Sequence, residues 1–139
     1  MSRTQNKCYA SALRMLVRRE HSQFEIQQKL QQKDFEHADI QKTIALLIEQ
    51  GYQSDTRFAE AFIRMRYNQG KGPIKISLEL KQRGVEQFDL SVYEWRDRAK
   101  QVLEKKFGSE APKDYKEKAK RQRFLQSRGF DFEQIRYAV

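Results

Sequence analysis

One cysteine, two prolines and six glycines in 139 residues leave few devices that staple or break a chain. The lone thiol, Cys8, has no partner for an intramolecular disulfide, so the sequence is not the framework of a small secreted domain. No run of about 18 apolar residues occurs, which excludes a membrane-spanning helix on hydropathy grounds. Met1 to Lys7 is polar and leads into no apolar stretch of the kind a signal peptide carries, so a cytoplasmic chain is expected. Sustained period-two alternation rich in β-branched residues is also missing, and no sheet is expected.

Charge and aromatic rings are abundant instead. Twenty-eight Lys and Arg oppose 19 Asp and Glu, a formal net charge of +9, and nine Phe, six Tyr and one Trp supply much of the apolar content. Rings bury large areas, which argues for a folded chain despite the charge. A net positive field favours a polyanion or an acidic protein surface as partner.

The chain repeats itself. Leu30-Gln31-Gln32-Lys33-Asp34-Phe35 with Ile40, Leu80-Lys81-Gln82-Arg83-Gly84-Val85 with Leu90, and Leu125-Gln126-Ser127-Arg128-Gly129-Phe130 with Ile135 align without gaps at offsets of 50 and 45 residues. Each copy reads as a helix end, a tight turn and a helix start: a buried Leu, a basic residue at the C-terminal end of the dipole, then Gly or Asp where a left-handed residue closes the helix. Asp34 is the poorest fit, and the first copy is expected to turn slightly differently.

A helix precedes each turn. Ser22 and Glu25 have capping-box spacing, Gly72-Pro73 puts Pro in a first turn, and Lys113-Asp114 opens a helix carrying Tyr115, Ala119 and Leu125. Before each of these lies another helix: Tyr9 to Arg19, Asp55 to Asn68 and Trp95 to Phe107 carry apolar stripes at three- and four-residue spacing. Ala38 to Gln50 closes the first copy. The expected fold is all-α, three tandem three-helix repeats at residues 1–53, 54–94 and 95–139 in an elongated, curved body, with a short or truncated last helix.

The stretch Gly51-Tyr52-Gln53-Ser54-Asp55-Thr56-Arg57-Phe58-Ala59, followed by Phe62-Ile63-Arg64, Gly70-Lys71-Gly72-Pro73, Ile76, Glu79-Leu80 and Arg83-Gly84-Val85, resembles the RecX regulatory proteins of bacterial recombination. The three turn copies and Arg123 to Phe130 extend the resemblance over nearly the whole chain. Gln53 departs from the pattern, standing where that family usually has an aliphatic residue, and the third unit ends early. The resemblance implies a protein without catalytic activity that binds RecA filaments on single-stranded DNA and modulates, mostly inhibits, filament extension, ATP hydrolysis, strand exchange and co-protease activity. It places the protein in DNA repair and the SOS response, thought to act from the filament's helical groove.

The residues themselves point to contacts rather than chemistry. Residues 1–53 carry eight basic and six acidic side chains, 54–95 seven and six, and 96–139 thirteen and seven. In the last third, Lys113, Lys116, Lys120 and Arg123 recur every three or four residues with Lys118 and Arg121 beside them, which predicts one wide positive helix face for DNA phosphate or an acidic protein. Arg64, Arg66, Lys71 and Lys75 cluster around the turn before the second middle helix; Arg57 and Arg128 complete the candidate set. Arg14, Arg18, Arg19 and Lys29 form a weaker group. Neither His21 nor His37 has a second ligand at metal spacing, and both are expected at the surface. Cys8 lacks a nearby base, and Gly70-Lys71-Gly72 lacks the spacing of a phosphate loop. No cofactor, metal or catalytic residue is expected, and a monomer is. A basic helical module acting on single- or double-stranded DNA directly is the alternative function.

Overall fold

The computed structural model describes residues 2–139 and contains, among these, eight α-helices and no strand: α1 (Arg3–Arg18), α2 (Gln23–Gln32), α3 (His37–Glu49), α4 (Asp55–Asn68), α5 (Pro73–Gln82), α6 (Trp95–Phe107), α7 (Tyr115–Arg128) and α8 (Phe132–Ala138). The all-α expectation and the tandem repeats hold. Helix α1 starts earlier than the apolar stripe suggested, capped by the Ser2 hydroxyl, which accepts from the Gln5 amide at 3.0 Å.

The first repeat packs α1, α2 and α3 around Cys8, Ala12, Met15, Ile26, Leu30, Ile40, Ile44 and Leu47. Such apolar side chains contribute about 1.5–3 kcal/mol each when fully buried. One polar tie crosses this core: Gln5 donates to the Thr43 hydroxyl at 2.7 Å and to the Asp39 carbonyl at 3.2 Å, fastening α1 to α3. The capping box at α2 forms in full, with Ser22 accepting from the Glu25 amide and the Glu25 carboxylate accepting from the Ser22 amide.

All three turn copies adopt one conformation. Asp34 has φ +66°, Gly84 +77° and Gly129 +96°, and Phe35, Val85 and Phe130 each donate an amide to the carbonyl of Leu30, Leu80 and Leu125 respectively. The expected difference at Asp34 is not found: a short carboxyl side chain tolerates the left-handed region well enough to keep the turn.

The second repeat departs from three helices. After Val85 the chain forms no helix until Trp95. Asp89 accepts from both the backbone amide and the hydroxyl of Ser91, at 2.8 and 2.5 Å, a local turn that competes with helical pairing. The Trp95 indole then takes the Leu90 carbonyl at 2.7 Å, and Tyr93 and Trp95 stack with Tyr67 at centroid distances of 4.6–5.5 Å. Leu90 therefore matches Ile40 and Ile135 in register but not in secondary structure.

Two compact units divide the chain, one of Met1–Ala61 with Leu80–Phe88, the other of Phe62–Glu79 with Asp89–Val139. In the second, α6 packs on α7 and α8, with Trp95, Ala99, Leu103, Leu125, Phe130 and Ile135 buried. Each unit contains the same junction. In the first, the Ser22 hydroxyl donates to the Arg83 carbonyl at 2.8 Å. In the second, the equivalent Gly72 amide donates to the Arg128 carbonyl at 2.7 Å, and Ile74 adds a bond to the Gly129 carbonyl at 2.9 Å. The start of one repeat's middle helix thus sits on the turn that ends the next repeat's middle helix.

His21 is buried, not exposed as its sequence context suggested. Its Nε2 lies 2.9 Å from the Lys29 ammonium and its Nδ1 3.1 Å from the Arg19 carbonyl. An ammonium only donates, so Nε2 accepts and Nδ1 carries the proton. Burial, and then the Arg19 and Lys29 charges, push the imidazole pKa down, against the opposing effects of the Arg19 carbonyl and Glu25. The loop bearing His21 is held from the other side by Gln53, which donates to the His21 carbonyl at 3.2 Å and to Asp55 at 2.9 Å. This is the task of the amide at the position where the resembling family usually has an aliphatic side chain.

Two outcomes are expected. A Cβ on Gly72 would lie 2.4 Å from the backbone of Gly129 and Phe130, so Gly72→Ala should cost roughly 2–3 kcal/mol in denaturant unfolding, the range of an overpacked core. Gly51→Ala, with nothing near its Cβ, should cost only the left-handed strain of about 1–2 kcal/mol. Because the folded pKa of His21 lies below its ordinary 6.5, the unfolded chain takes up a proton that the folded chain refuses as pH falls through that value. This contribution is complete above pH 6.5 and lost below it. Melting temperature should therefore drop on acidification below neutrality, and His21→Gln should flatten that drop; an unaltered slope would exclude His21 as its source.

Candidate functional site

Basic side chains of α6 and α7 in the second unit converge beside the end of α4 and the loop that follows it. Around a recess of about 300 Å³ stand Asn68 at the end of α4, Gln69 and Gly70 after it, Arg98, Gln101, Val102, Lys105 and Lys106 of α6, and Phe124 and Arg128 of α7. None of these is a carboxylate. Cations of like sign repel, and here an aromatic ring offsets part of that cost: the Arg128 guanidinium lies 5.0 Å and the Lys106 ammonium 5.9 Å from the Phe124 centroid, with Phe107 edge-on to the same ring at 5.5 Å. Arg98 has a different duty. It donates to the Tyr67 and Asn68 carbonyls, both at 3.1 Å, satisfying the C-terminal end of α4, and spreads over the Tyr67 ring at 5.1 Å.

Lys71, Lys75 and Arg66 extend the cluster. Partial burial, then Lys75, Arg128 and Arg66, pull the Lys71 ammonium pKa down, with Glu79 opposing. That ordering places these cations within electrostatic reach of one another, although Arg66 is itself committed to Glu79 at 3.0 Å and Gln69 at 2.8 Å. Lys75 abuts the Gly129 turn, its Cβ filling the space where a Gly129 side chain would begin. The ion pairs of this unit lie apart from the recess, at Arg66 with Glu79, Arg96 with Glu133 and Arg121 with Glu117.

The expected wide positive face of α7 is divided. Lys116, Lys120 and Arg123 are exposed, as is Lys113 just before the helix. Arg121 faces inward: it is 5% exposed, donates to Glu117 at 2.7 Å and the Glu110 carbonyl at 2.8 Å, and lies over Phe107 at 5.3 Å. Its place in the contact set is corrected, since it holds the α6–α7 connection. Lys118 lines a second groove with Ile74, Phe132 and Arg136, away from the Phe124 side. Arg64 is exposed on α4. Arg57 belongs to the first unit, where it bonds the Gly51 carbonyl at 2.8 Å and Glu20 at 3.2 Å. Of the weaker group, Arg18, Arg19 and Lys29 gather around His21 in a pocket of the first unit, with Arg19 taken by Glu25 at 3.0 Å, while Arg14 is exposed on α1 and does not line it. Burial alone would raise the Glu25 pKa, but hydrogen bonds from Arg19 and the Ser22 amide outweigh it and hold the carboxyl low.

Sequence reasoning missed Lys105, Lys106 and Phe124 as one site. The adjacent lysines in the last turn of α6 contributed only to the charge tally of the third repeat, and Phe124 figured only in the stretch that carries the family resemblance. Among the described residues no group of three or more His, Cys, Asp or Glu is placed to hold a metal, and no helix is long and apolar enough to cross a membrane.

Comparison with known proteins agrees with this architecture. Models of the first, second and third three-helix domains of RecX match residues 8–47, 54–90 and 93–139 in that order. Regulatory protein RecX of Chromohalobacter salexigens is 42% identical over 134 residues, covering 92% of this chain and 88% of that protein. Its counterpart in Legionella pneumophila is 46% identical over 132 residues, covering 90% and 87%. The crystal structure of RecX from Lactobacillus salivarius superposes with a TM-score of 0.83 at 23% identity, over 99% of this chain and 96% of that one, a likeness of fold. The chain belongs to the RecX family of regulatory proteins.

Proposed function

We propose that this protein is a non-enzymatic regulator that binds RecA filaments on single-stranded DNA and modulates, chiefly inhibits, their extension and with it ATP hydrolysis, strand exchange and co-protease activity. Membership in a family whose relatives are named regulatory protein RecX carries this reading. The distribution of charge supports it. A filament of protein on DNA is a polyanionic partner, and the third repeat carries thirteen basic against seven acidic residues. In this reading the protein acts as a monomer in the cytoplasm, and the exposed Arg64, Lys113, Lys116, Lys118, Lys120 and Arg123, with the half-buried Lys71, Lys75 and Arg128, furnish the contacts.

A second reading, a helical module whose target is DNA itself, draws on the carboxylate-free rim of the recess, since phosphate contacts need cations without competing acids. The two differ in what survives without RecA. Direct phosphate binding would persist on naked strands with a steep negative dependence of log affinity on log salt.

The deciding experiment adds the protein, below stoichiometry and with DNA in excess, to preformed RecA filaments and follows single-stranded-DNA-dependent ATP hydrolysis. Inhibition is expected under conditions where competition for DNA cannot produce it. Replacing Lys116, Lys120 and Arg123 together by Glu should leave helix content unchanged and raise the half-inhibiting concentration about tenfold, roughly 1.4 kcal/mol. Full inhibition by that folded variant would remove the α7 surface from the contact set. No inhibition by the unaltered protein, with salt-sensitive binding to bare DNA, would favour the second reading.

A further inference from the structure

The recess between α6, α7 and the end of α4 has the chemistry of a small-molecule site as well as of a contact surface. We propose that it binds a nucleoside polyphosphate, with the phosphates on Lys105, Lys106 and Arg128 and the nucleoside toward Val102, Gln101 and the Asn68-Gln69 carboxamides. This proposal goes beyond the filament reading and does not depend on it.

Charge selects the ligand class. Four cations, Arg98, Lys105, Lys106 and Arg128, border the recess, and no acid does. Arg98 spends three of its five donors on the α4 carbonyls and on Gln101 at 3.0 Å, so its charge is present while most of its hydrogen bonds are used. The other three cations keep all their donors, and Lys71 adds a fifth charge within reach of Arg128. A single phosphodiester of a nucleic-acid strand would neutralise one of these. A di- or triphosphate carries about three or four negative charges at neutral pH on closely spaced oxygens, and charge-assisted hydrogen bonds to them are the strong ones.

Preorganisation points the same way. Lys106 and Arg128 are gathered on the Phe124 ring rather than on a carboxylate, so an incoming anion has no ion pair to break. Little of the cost of assembling like charges falls on the binding step. The polar side chains are of the kind that read a nucleoside: the Asn68 carboxamide offers a donor and an acceptor, Gln69 and Gln101, whose oxygens already accept from Arg66 and Arg98, keep their amide donors, and Val102 and Phe124 give an apolar wall. At about 300 Å³ the recess is at the small end of ligand sites, which suits one nucleotide left partly exposed.

The test uses the full-length protein without RecA, in about 0.1 M salt so that diffuse attraction is screened. Calorimetric titration with ADP, AMP, pyrophosphate and an unphosphorylated five-nucleotide oligothymidylate supplies the arms. ADP is expected to bind saturably with a dissociation constant on the order of 10–100 µM, at least tenfold tighter than AMP and tighter than pyrophosphate. Replacing Lys105 and Lys106 by Gln, both exposed, should weaken ADP at least about tenfold. The melting temperature of the free variant, unchanged, would show that the fold is intact. No saturable ADP binding up to about 1 mM would overturn the proposal. Equal affinity of the Lys105/Lys106 variant would overturn it as well. Oligothymidylate binding more tightly than ADP, and lost in the same variant, would make the recess a strand-phosphate site and overturn the assignment to a free nucleotide. Pyrophosphate binding as tightly as ADP would overturn the nucleoside half of the proposal.

Discussion

Main chain meeting main chain at the junction of successive repeats is the contact on which the rest of the molecule depends. At Gly72 the approach is close enough that one amide reaches the Arg128 carbonyl at 2.7 Å and the next reaches Gly129 at 2.9 Å, leaving no volume for a Cβ. The first unit solves the same problem with a side chain, the Ser22 hydroxyl on the Arg83 carbonyl, and uses that hydroxyl a second time as the cap of α2. In both cases a turn carbonyl left over from helix termination finds its donor in a neighbouring repeat. Helix ending and repeat stacking are therefore one event, and the recess at Phe124 inherits its position from it, because Arg128 is the residue whose carbonyl makes the joint.

The features that could be read from the sequence are those set by local rules. Leucine spacing, the basic residue before each break and the left-handed position marked three turns, and all three formed. Ser22 with Glu25 announced a capping box that exists atom for atom. The closing helix of the second repeat was not legible in this way. Its apolar register at Leu90 is right, but Asp89 and Ser91 form a local turn, and three aromatic rings from separate stretches of chain outcompete helical pairing over residues 85–94. Tertiary contacts of that kind leave no periodic signature.

The candidate site was legible in sign but not in geometry. The excess of Lys and Arg in the third repeat is plain from counting, and Lys116, Lys120 and Arg123 are exposed as their spacing suggests. Helical spacing assigned Arg121 to the same face, yet a three- or four-residue interval also carries a side chain from the rim of a stripe toward the core, and Glu110, Glu117 and Phe107 were waiting there. His21 failed for a related reason. A lone histidine beside Arg19 and Glu20 looks solvated, and nothing local reveals that Lys29 and Gln53 fold over it.

The two junctions differ in how freely they can drift over generations. At Gly84 the nearest obstacle is the Phe24 Cβ at 2.6 Å, an atom every residue but glycine keeps, so a second substitution restores room only as Phe24→Gly. At Gly72 the obstacle is the peptide backbone of Gly129 and Phe130, which no substitution can shrink. Gly129 in turn is blocked by the backbone and Cβ of Lys75. The later junction thus has no compensatory partner through which change could pass, and its two glycines are the positions where neutral variation in this chain should be slowest.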